Sequence, residues 1–322
     1  VKGIGWFIEE YGIAQVSMNL TDINITPVHI AFEECVKSAH NRGMRVTGSE
    51  LVGLIPLKSL LDTGKYFLKK QNRSVGVSEK ELIKIAVKSL GLDELSAFKP
   101  EERIIEYQLK DNNQMNLTRM PLCDFADETA SESPAPGGGS IAAYVGVLGI
   151  SLGTMVANLS SHKKGWDEKW EEFSKLAEKG QQLKDELLKM VDEDTKAFNN
   201  IMSAFGLPKA STEEKKVREK AIQSATKYAT EVPFKVMHLC LESMEVVKAM
   251  AEKGNPNSIS DAGVGALCAR SAVMGAFLNV KINAKGLTDK KFARNIVQKG
   301  KNIENQAKKT ETGILNIVRR KI

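Results

Sequence analysis

A glycine-rich turn followed by twenty residues without a charge constrains this chain more than any other stretch. It reads Pro134-Ala-Pro-Gly-Gly-Gly-Ser140 and then Ile141 through Ser160. An uncharged segment of that length must be buried, either in a bilayer or in a protein core. Gly149 and Gly153 give the small-xxx-small spacing of packed membrane helices. Gly139, Gly146, Gly149 and Gly153 also thin the helix where neighbours would approach, and no aromatic girdle flanks it. Gly263 to Asn279 is the one comparable run. The expectation is the central helix of a bundle in water, with no membrane partner and the rest of the second half packed around it.

The remaining composition agrees with a chain of that kind. Of 322 residues 27% are charged, and 46 basic against 40 acidic side chains leave a formal +6. That excess is too mild and too interspersed for a nucleic-acid partner, but it suits an anionic small molecule. Cys35, Cys123, Cys240 and Cys268 are far apart, with no Cys-x-x-Cys pair. They read as isolated buried thiols in a reducing, cytoplasmic compartment, not as a disulfide frame or a metal site. No signal peptide is visible. Val1 opens in the middle of a pattern, so a fragment of a longer protein is expected.

The first part mixes patterns. Ile13–Leu20 alternates like a half-buried strand, Thr26-Pro27 opens a helix to about Asn41, and Gly43–Gly48 reads as a short strand. Pro56 opens a helix to about Leu68, Ser78 caps another to about Leu90, and Glu102–Tyr107 reads as a last strand. Asp111-Asn-Asn-Gln114 is a polar break. After it the period is helical: Pro121–Ser131, Ser140–Ser160, Trp166–Phe205, Thr212–Lys253, Ser258–Lys285 and Thr288–Arg320, with Pro233 expected to kink the fourth. The fold class expected is α+β, a mixed unit over 1–115 and then an all-α up-and-down bundle over 116–322.

Four places carry possible chemistry. Leu183, Leu187, Met190, Val191, Phe198 and Ile201 form one helical stripe, and Asp194 lies at its centre, whereas Asp192 is on the opposite, solvated side. A carboxylate in such a stripe is paired, protonated or facing a cavity. Desolvation would raise its pKa toward a range useful for acid–base work, and a polar contact between helices is the plainer alternative. Gly137, Gly138, Gly139 and Ser140 lead into a helix N-terminus, which suits an anion or is simply a turn with Ser140 as cap. Asp261 and Asn279 are five turns apart on one helical face. Asp261 could instead cap with Ser258, while Asn279, among apolar neighbours, suits a buried amide. Lys163 and Lys164, beside His162, form a basic loop that is solvated or meets a carboxylate-rich tail. His29, His40 and His238 read as structural or exposed.

Together these motifs resemble the formiminotransferase-cyclodeaminase family. Ser133–Ser140, Val191–Phe198, Leu207-Pro208, Val232-Pro233, Ser260-Asp261 and Gly275–Asn283 carry the likeness to its cyclodeaminase domain, itself similar to bacterial helical methenyltetrahydrofolate cyclohydrolases. Val1–Trp6, Ala14–Asn19, Gly48–Lys58 and Glu102–Tyr107 resemble the end of its formiminotransferase domain. The resemblance implies an incomplete ferredoxin-like transferase subdomain without transfer activity of its own. It implies a cyclodeaminase that closes 5-formimidoyltetrahydrofolate to 5,10-methenyltetrahydrofolate and releases ammonia, with no metal. The longer parent would also be a glutamate formimidoyltransferase of histidine degradation. Asp194 matches the family's catalytic aspartate. Gly137 to Ser140, Asn279 and Asp261 would orient the folate, and Lys163 and Lys164 would meet its glutamate tail, polyglutamylated or not. A homodimer or larger homo-oligomer, with the site near the subunit interface, is implied as well. A cyclohydrolase, or a non-catalytic helical assembly domain, are the alternatives.

Overall fold

The computed structural model describes residues 1–109 and 117–322. The break at Asp111–Gln114 and the boundary at 115/116 lie outside the described residues. The chain divides into two compact units, Val1–Asn112 and Asn113–Ile322.

In the first unit β1 (Lys2–Ile8) and β2 (Ile13–Asn19) form an antiparallel ribbon, with Trp6 opposite Gln15 and Gly12 at φ +62° in the turn. Helices α1 (Val28–His40), α2 (Leu57–Lys70) and α3 (Glu79–Leu90) follow. Ser78 caps α3 by accepting from the Glu81 N–H at 3.3 Å, and Gly91 ends it in the left-handed conformation. Two expected strands are absent. Residues 44–50 are irregular: the Met44 N–H donates to the Ala39 carbonyl near the end of α1, and Ser49 N–H and Oγ donate to the Gly91 and Leu90 carbonyls at the end of α3. Over 102–107 Pro100 starts a short helix, α4 (Pro100–Arg103), and α5 (Ile105–Gln108) follows. Between them Ile104 makes a single parallel bridge to Ile55. Ile55, Leu60, Ile83, Ala86, Val87 and Ile104 form this unit's core.

The second unit is helical throughout its described length: α6 (Leu122–Ala130), α7 (Gly138–Ser161), α8 (Trp170–Phe205), α9 (Thr212–Lys253), α10 (Ile259–Lys285) and α11 (Lys290–Lys321). The chain is therefore α+β, with a helical bundle in its second part. The helices run up and down. Residue levels on α7 and α8 pass in opposite directions, Gly139 meeting Asp194, Gly146 meeting Leu187 and Gly180 meeting Thr154. Likewise α10 runs against α7, with Gly138 beside Asn279 and Gly149 beside Cys268. α11 runs against α10, with Gly263 beside Val318 and Gly300 beside Phe277.

The expected central helix is α7. Fourteen of its 24 residues are buried, and α8, α9 and α10 pack around it. The glycines permit this. A β-carbon at Gly146 would stand 2.5 Å from Cys240 Sγ, and one at Gly149 would stand 2.9 Å from the Gly265 carbonyl. By length and hydropathy alone α7 and the 256–285 segment are apolar enough to cross a membrane, yet most of the α7 window is inside the bundle. α9 continues unbroken through Pro233. Proline supplies no N–H to the carbonyl four residues back, and that acceptor, Ala229 O, takes a hydrogen bond from Asn283 Nδ2 at 2.6 Å.

Candidate active site

The first turn of α7 meets the middle of α8. Gly137 is the N-cap residue and contributes no side chain, so the amides of Gly138, Gly139 and Ser140 begin the helix with no capping oxygen of their own. Such N–H groups lack intrahelical partners and favour a negative charge. The Asp194 carboxylate is the charge they meet. A β-carbon on Gly139 would stand only 2.5 Å from Asp194 Cγ and Oδ2, so glycine is what lets the carboxylate settle on the helix end. The Ser140 N–H donates to that carboxylate. Ser140 Oγ lies 3.2 Å from Asp194 Oδ2, 3.0 Å from the Val191 carbonyl and 3.4 Å from Thr195 Oγ1. Its single proton serves one acceptor at a time.

Burial decides the electrostatics. Desolvation raises the Asp194 pKa above its ordinary value and outweighs the two Ser140 hydrogen bonds, which favour the ionised form. The result is a half-buried carboxyl able to take and give a proton, positioned by two helices. Ser140 is fully buried and turned toward α8, so it acts on Asp194 rather than presenting its hydroxyl outward.

Asn279 of α10 completes the cluster. Its amide lies 3.6 Å from where a Gly138 β-carbon would be, and its Nδ2 donates to the Gly275 carbonyl at 3.1 Å. Gly137, Gly138, Gly139, Ser140, Asp194 and Asn279 thus gather at one end of the bundle. The other candidates lie elsewhere in the same chain. Asp261 is in the first turn of α10, eighteen residues and so about 27 Å from Asn279 along the axis. Ser258 makes no side-chain cap there, so the reciprocal Ser-Asp cap is not formed. Lys163 and Lys164 follow the far end of α7, about 36 Å from its glycines. Lys163 Nζ lies over the Trp166 ring, 4.2 Å from its centroid. Among the described residues no group of three His, Cys, Asp or Glu side chains is arranged to hold a metal ion. His29, in the first unit, is buried against Tyr66 at 4.4 Å between ring centroids, and burial lowers its pKa.

Two carboxylates beside Asp194 have partners that helical spacing does not reveal. Asp192 accepts from the Thr118 hydroxyl at 2.7 Å and from its N–H at 3.5 Å, so it is tied to a turn and is more than a solvated charge. Glu193 accepts from the Tyr228 hydroxyl of α9, whose pKa is pushed up to about 12, first by that bond and then by burial. Three consecutive acidic residues are each held by a hydroxyl from a different element, which fixes the rotation of α8 at the site.

An up-and-down bundle that seats a carboxylate on a glycine-lined helix end, placed after a mixed α+β unit, defines a two-part class of chain. The comparisons give both parts a family. Residues 1–110 match the model of the formiminotransferase domain, and residues 121–302 match the model described as formiminotransferase-cyclodeaminase. The chain belongs to the formiminotransferase-cyclodeaminase family, an enzyme family. The formimidoyltransferase-cyclodeaminase of Gallus gallus is 38% identical over 322 residues, all of this chain and 59% of the relative. The chain thus spans little more than half the length of that relative. The methenyltetrahydrofolate cyclohydrolase of Methylorubrum extorquens is 44% identical over 169 residues, 52% of this chain and 81% of the relative. Among solved structures, the formiminotetrahydrofolate cyclodeaminase of Thermotoga maritima superposes with a TM-score of 0.56 at 28% identity, covering 62% of this chain and 96% of that one.

Proposed function

We propose that the bundle catalyses the cyclodeaminase step, closing 5-formimidoyltetrahydrofolate to 5,10-methenyltetrahydrofolate with loss of ammonia. The observation that carries this is the Asp194 carboxyl, raised in pKa by burial and held on the end of α7. The formimidoyl group enters protonated, as amidines are at neutral pH. N10 attacks its carbon and forms the new C–N bond. Ionised Asp194 takes the N10 proton and delivers it to the exocyclic nitrogen. The bond to that nitrogen then breaks, its electron pair leaves with ammonia, and the methenyl amidinium remains. Holding donor, carbon and acceptor together supplies the orientation such a transfer needs. The exposed Gly138 backbone and the Asn279 amide are the groups we assign to orienting the folate. Tetrahydrofolate is the substrate carrier, and the scheme uses no metal, so prior chelation leaves the rate unchanged. Loss of both products in Asp194→Asn tests the assignment.

A second reading has one observation behind it, the 44% identity to a cyclohydrolase. There ionised Asp194 would deprotonate a water attacking the methenyl carbon. Hydrolysis of supplied 5,10-methenyltetrahydrofolate, without turnover of the formimidoyl compound, would select it. For the longer protein we propose glutamate formimidoyltransferase activity in histidine degradation, supported by the match of residues 1–110 to the formiminotransferase domain. Of the four cysteines expected to be buried only Cys240 is, and Cys123 is exposed, but all four are free thiols, which supports a cytoplasmic location.

We also propose that the chain works as a homo-oligomer built on a dimer. Leu148, Met155 and Leu159 of α7 and Val264, Leu278 and Ile282 of α10 are exposed on an outer surface where α7 carries no charge. Apolar patches of this kind mark interaction sites. A two-fold axis perpendicular to α7 and passing beside it at the level of Ile150 would set the two copies of that helix antiparallel, with opposed dipoles. The partner subunit's Lys163 and Lys164 would then stand opposite Gly137, where they could receive the glutamate tail of the folate. A dimer that sediments as a monomer after Leu148→Glu or Leu278→Glu supports this; an unchanged dimer rejects it.

A further inference from the structure

We propose that residues 117–130 form a movable wall of the substrate site, that the Phe125–Tyr144 pair seats the bicyclic ring of the substrate, and that Asp192 is the positioning residue that latches the wall through Thr118. This rests on the folate reading above and adds to it a place for one part of the ligand.

The wall stands next to the acid. Tyr144 lies one turn after Ser140 on α7, about 6 Å along the axis, and Val191 lies just under one turn before Asp194 on α8, about 4.5 Å along it. Residues 117–125 close over these two side chains and leave a cavity of about 70 Å³, lined by Thr118, Met120, Phe125, Tyr144 and Val191 among others. The Phe125 and Tyr144 rings pack on one another, with centroids 5.4 Å apart and planes inclined at 49°, and are the two apolar faces that part as the wall moves.

The wall is lightly held. No residue of α6 is buried and Leu122 is 72% exposed, so this helix does not pack as the other bundle helices do. Leu117 anchors the start of the wall in the core, where Met120 and Phe125 pack, and Thr118 adds the polar tie, its hydroxyl and N–H both donating to Asp192. The cavity is about half the ~150 Å³ that holds a benzene ring in a protein core. A bicyclic ring therefore enters as α6 moves outward while the Thr118–Asp192 tie keeps the segment in register.

The test uses the whole chain, with Thr118→Val, Thr118→Ser, Asp192→Asn and Phe125→Ala. Turnover of 5-formimidoyltetrahydrofolate is measured beside binding of 5-formyltetrahydrofolate and of p-aminobenzoylglutamate, which lacks the bicycle. Thr118→Val and Asp192→Asn should raise KM about ten-fold with kcat within about two-fold, and Thr118→Ser should keep the wild-type KM. Phe125→Ala should weaken 5-formyltetrahydrofolate about ten-fold and leave p-aminobenzoylglutamate unchanged. Amide exchange over 122–130 should quicken in Thr118→Val and change when 5-formyltetrahydrofolate binds. Unaltered KM and exchange in Thr118→Val, or equal loss of both ligands in Phe125→Ala, overturns the wall while an active wild type leaves the cyclodeaminase assignment standing. A folded wild type that neither binds nor turns over a folate removes both.

Discussion

Gly139 and Asp194 occupy one another's space: a single β-carbon on the glycine would stand 2.5 Å from the Cγ of the aspartate. Glycine at this position is therefore a requirement of the acid, not of the turn. Gly139→Ala should push the carboxylate off the helix end and lower kcat by about 100-fold, the scale of losing one positioned acid–base group. Gly313→Ala is the contrast. It lies exposed within α11, with nothing within 4 Å of an added β-carbon, and should stabilise the fold by about 0.5–1 kcal/mol. Thermal denaturation and initial rates of the two variants check both outcomes.

Ser140 sets where Asp194 titrates. Its hydrogen bonds favour the carboxylate and oppose the desolvation that raises the pKa. Ionised Asp194 starts the reaction, so activity falls as pH drops through its folded-state pKa. Removing the hydroxyl leaves desolvation less opposed. The acid limb of the pH–kcat profile of Ser140→Ala should move to higher pH, with activity recovered on the alkaline side; a limb that stays in place would break the link between these residues.

Stability carries the same sign. In the unfolded chain Asp194 titrates near 3.8, and in the folded chain higher. Below the unfolded value both states are protonated and burial of the carboxyl costs nothing electrostatic. The penalty grows as pH rises through 3.8 and is complete above the folded pKa, at roughly 1.4 kcal/mol for each pH unit that separates the two values. Asp194→Asn should therefore melt higher than wild type at pH 7.5, and the gap should close toward pH 4. A gap independent of pH would show that the charge is not the cause.

Much of this is readable from local pattern. The 3.6-residue period places Asp194 in an apolar stripe, and the small residues of α7 announce its neighbours, because both are properties of one helix. What fails needs partners far along the chain. Residues 43–48 and 102–107 look extended, but the ends of α1 and α3 bond the chain at either side of the first stretch and Pro100 winds the second into helix. Asp192 looks solvated because Thr118 is 74 residues away. Period also gives an angle around a helix and says nothing of depth: Asp261 shares a face with Asn279 yet sits at the other end. Lys163 and Lys164 are separated from the glycines by the length of α7 itself.

Asn283 offers a test of packing apart from chemistry. Its Nδ2 satisfies the Ala229 carbonyl that Pro233 leaves without a helical donor. Asn283→Ala should cost about 1–3 kcal/mol, the penalty for a partly buried unsatisfied acceptor and its lost bond. In a Pro233→Ala background, where the helix supplies its own N–H, the same change should cost clearly less. Additive losses in a double-mutant cycle by urea denaturation would show that the two residues are independent.

The measurement that bears most directly on the function is the reaction of this chain with 5-formimidoyltetrahydrofolate, following near-ultraviolet methenyl absorbance and ammonia together. Both should rise in equal amounts with wild type and fall by at least about 100-fold in Asp194→Asn, with the variant still folded. Equal rates in the two proteins, or neither product from a folded and dimeric wild type, would contradict the assignment of Asp194 as the proton carrier of a cyclodeaminase.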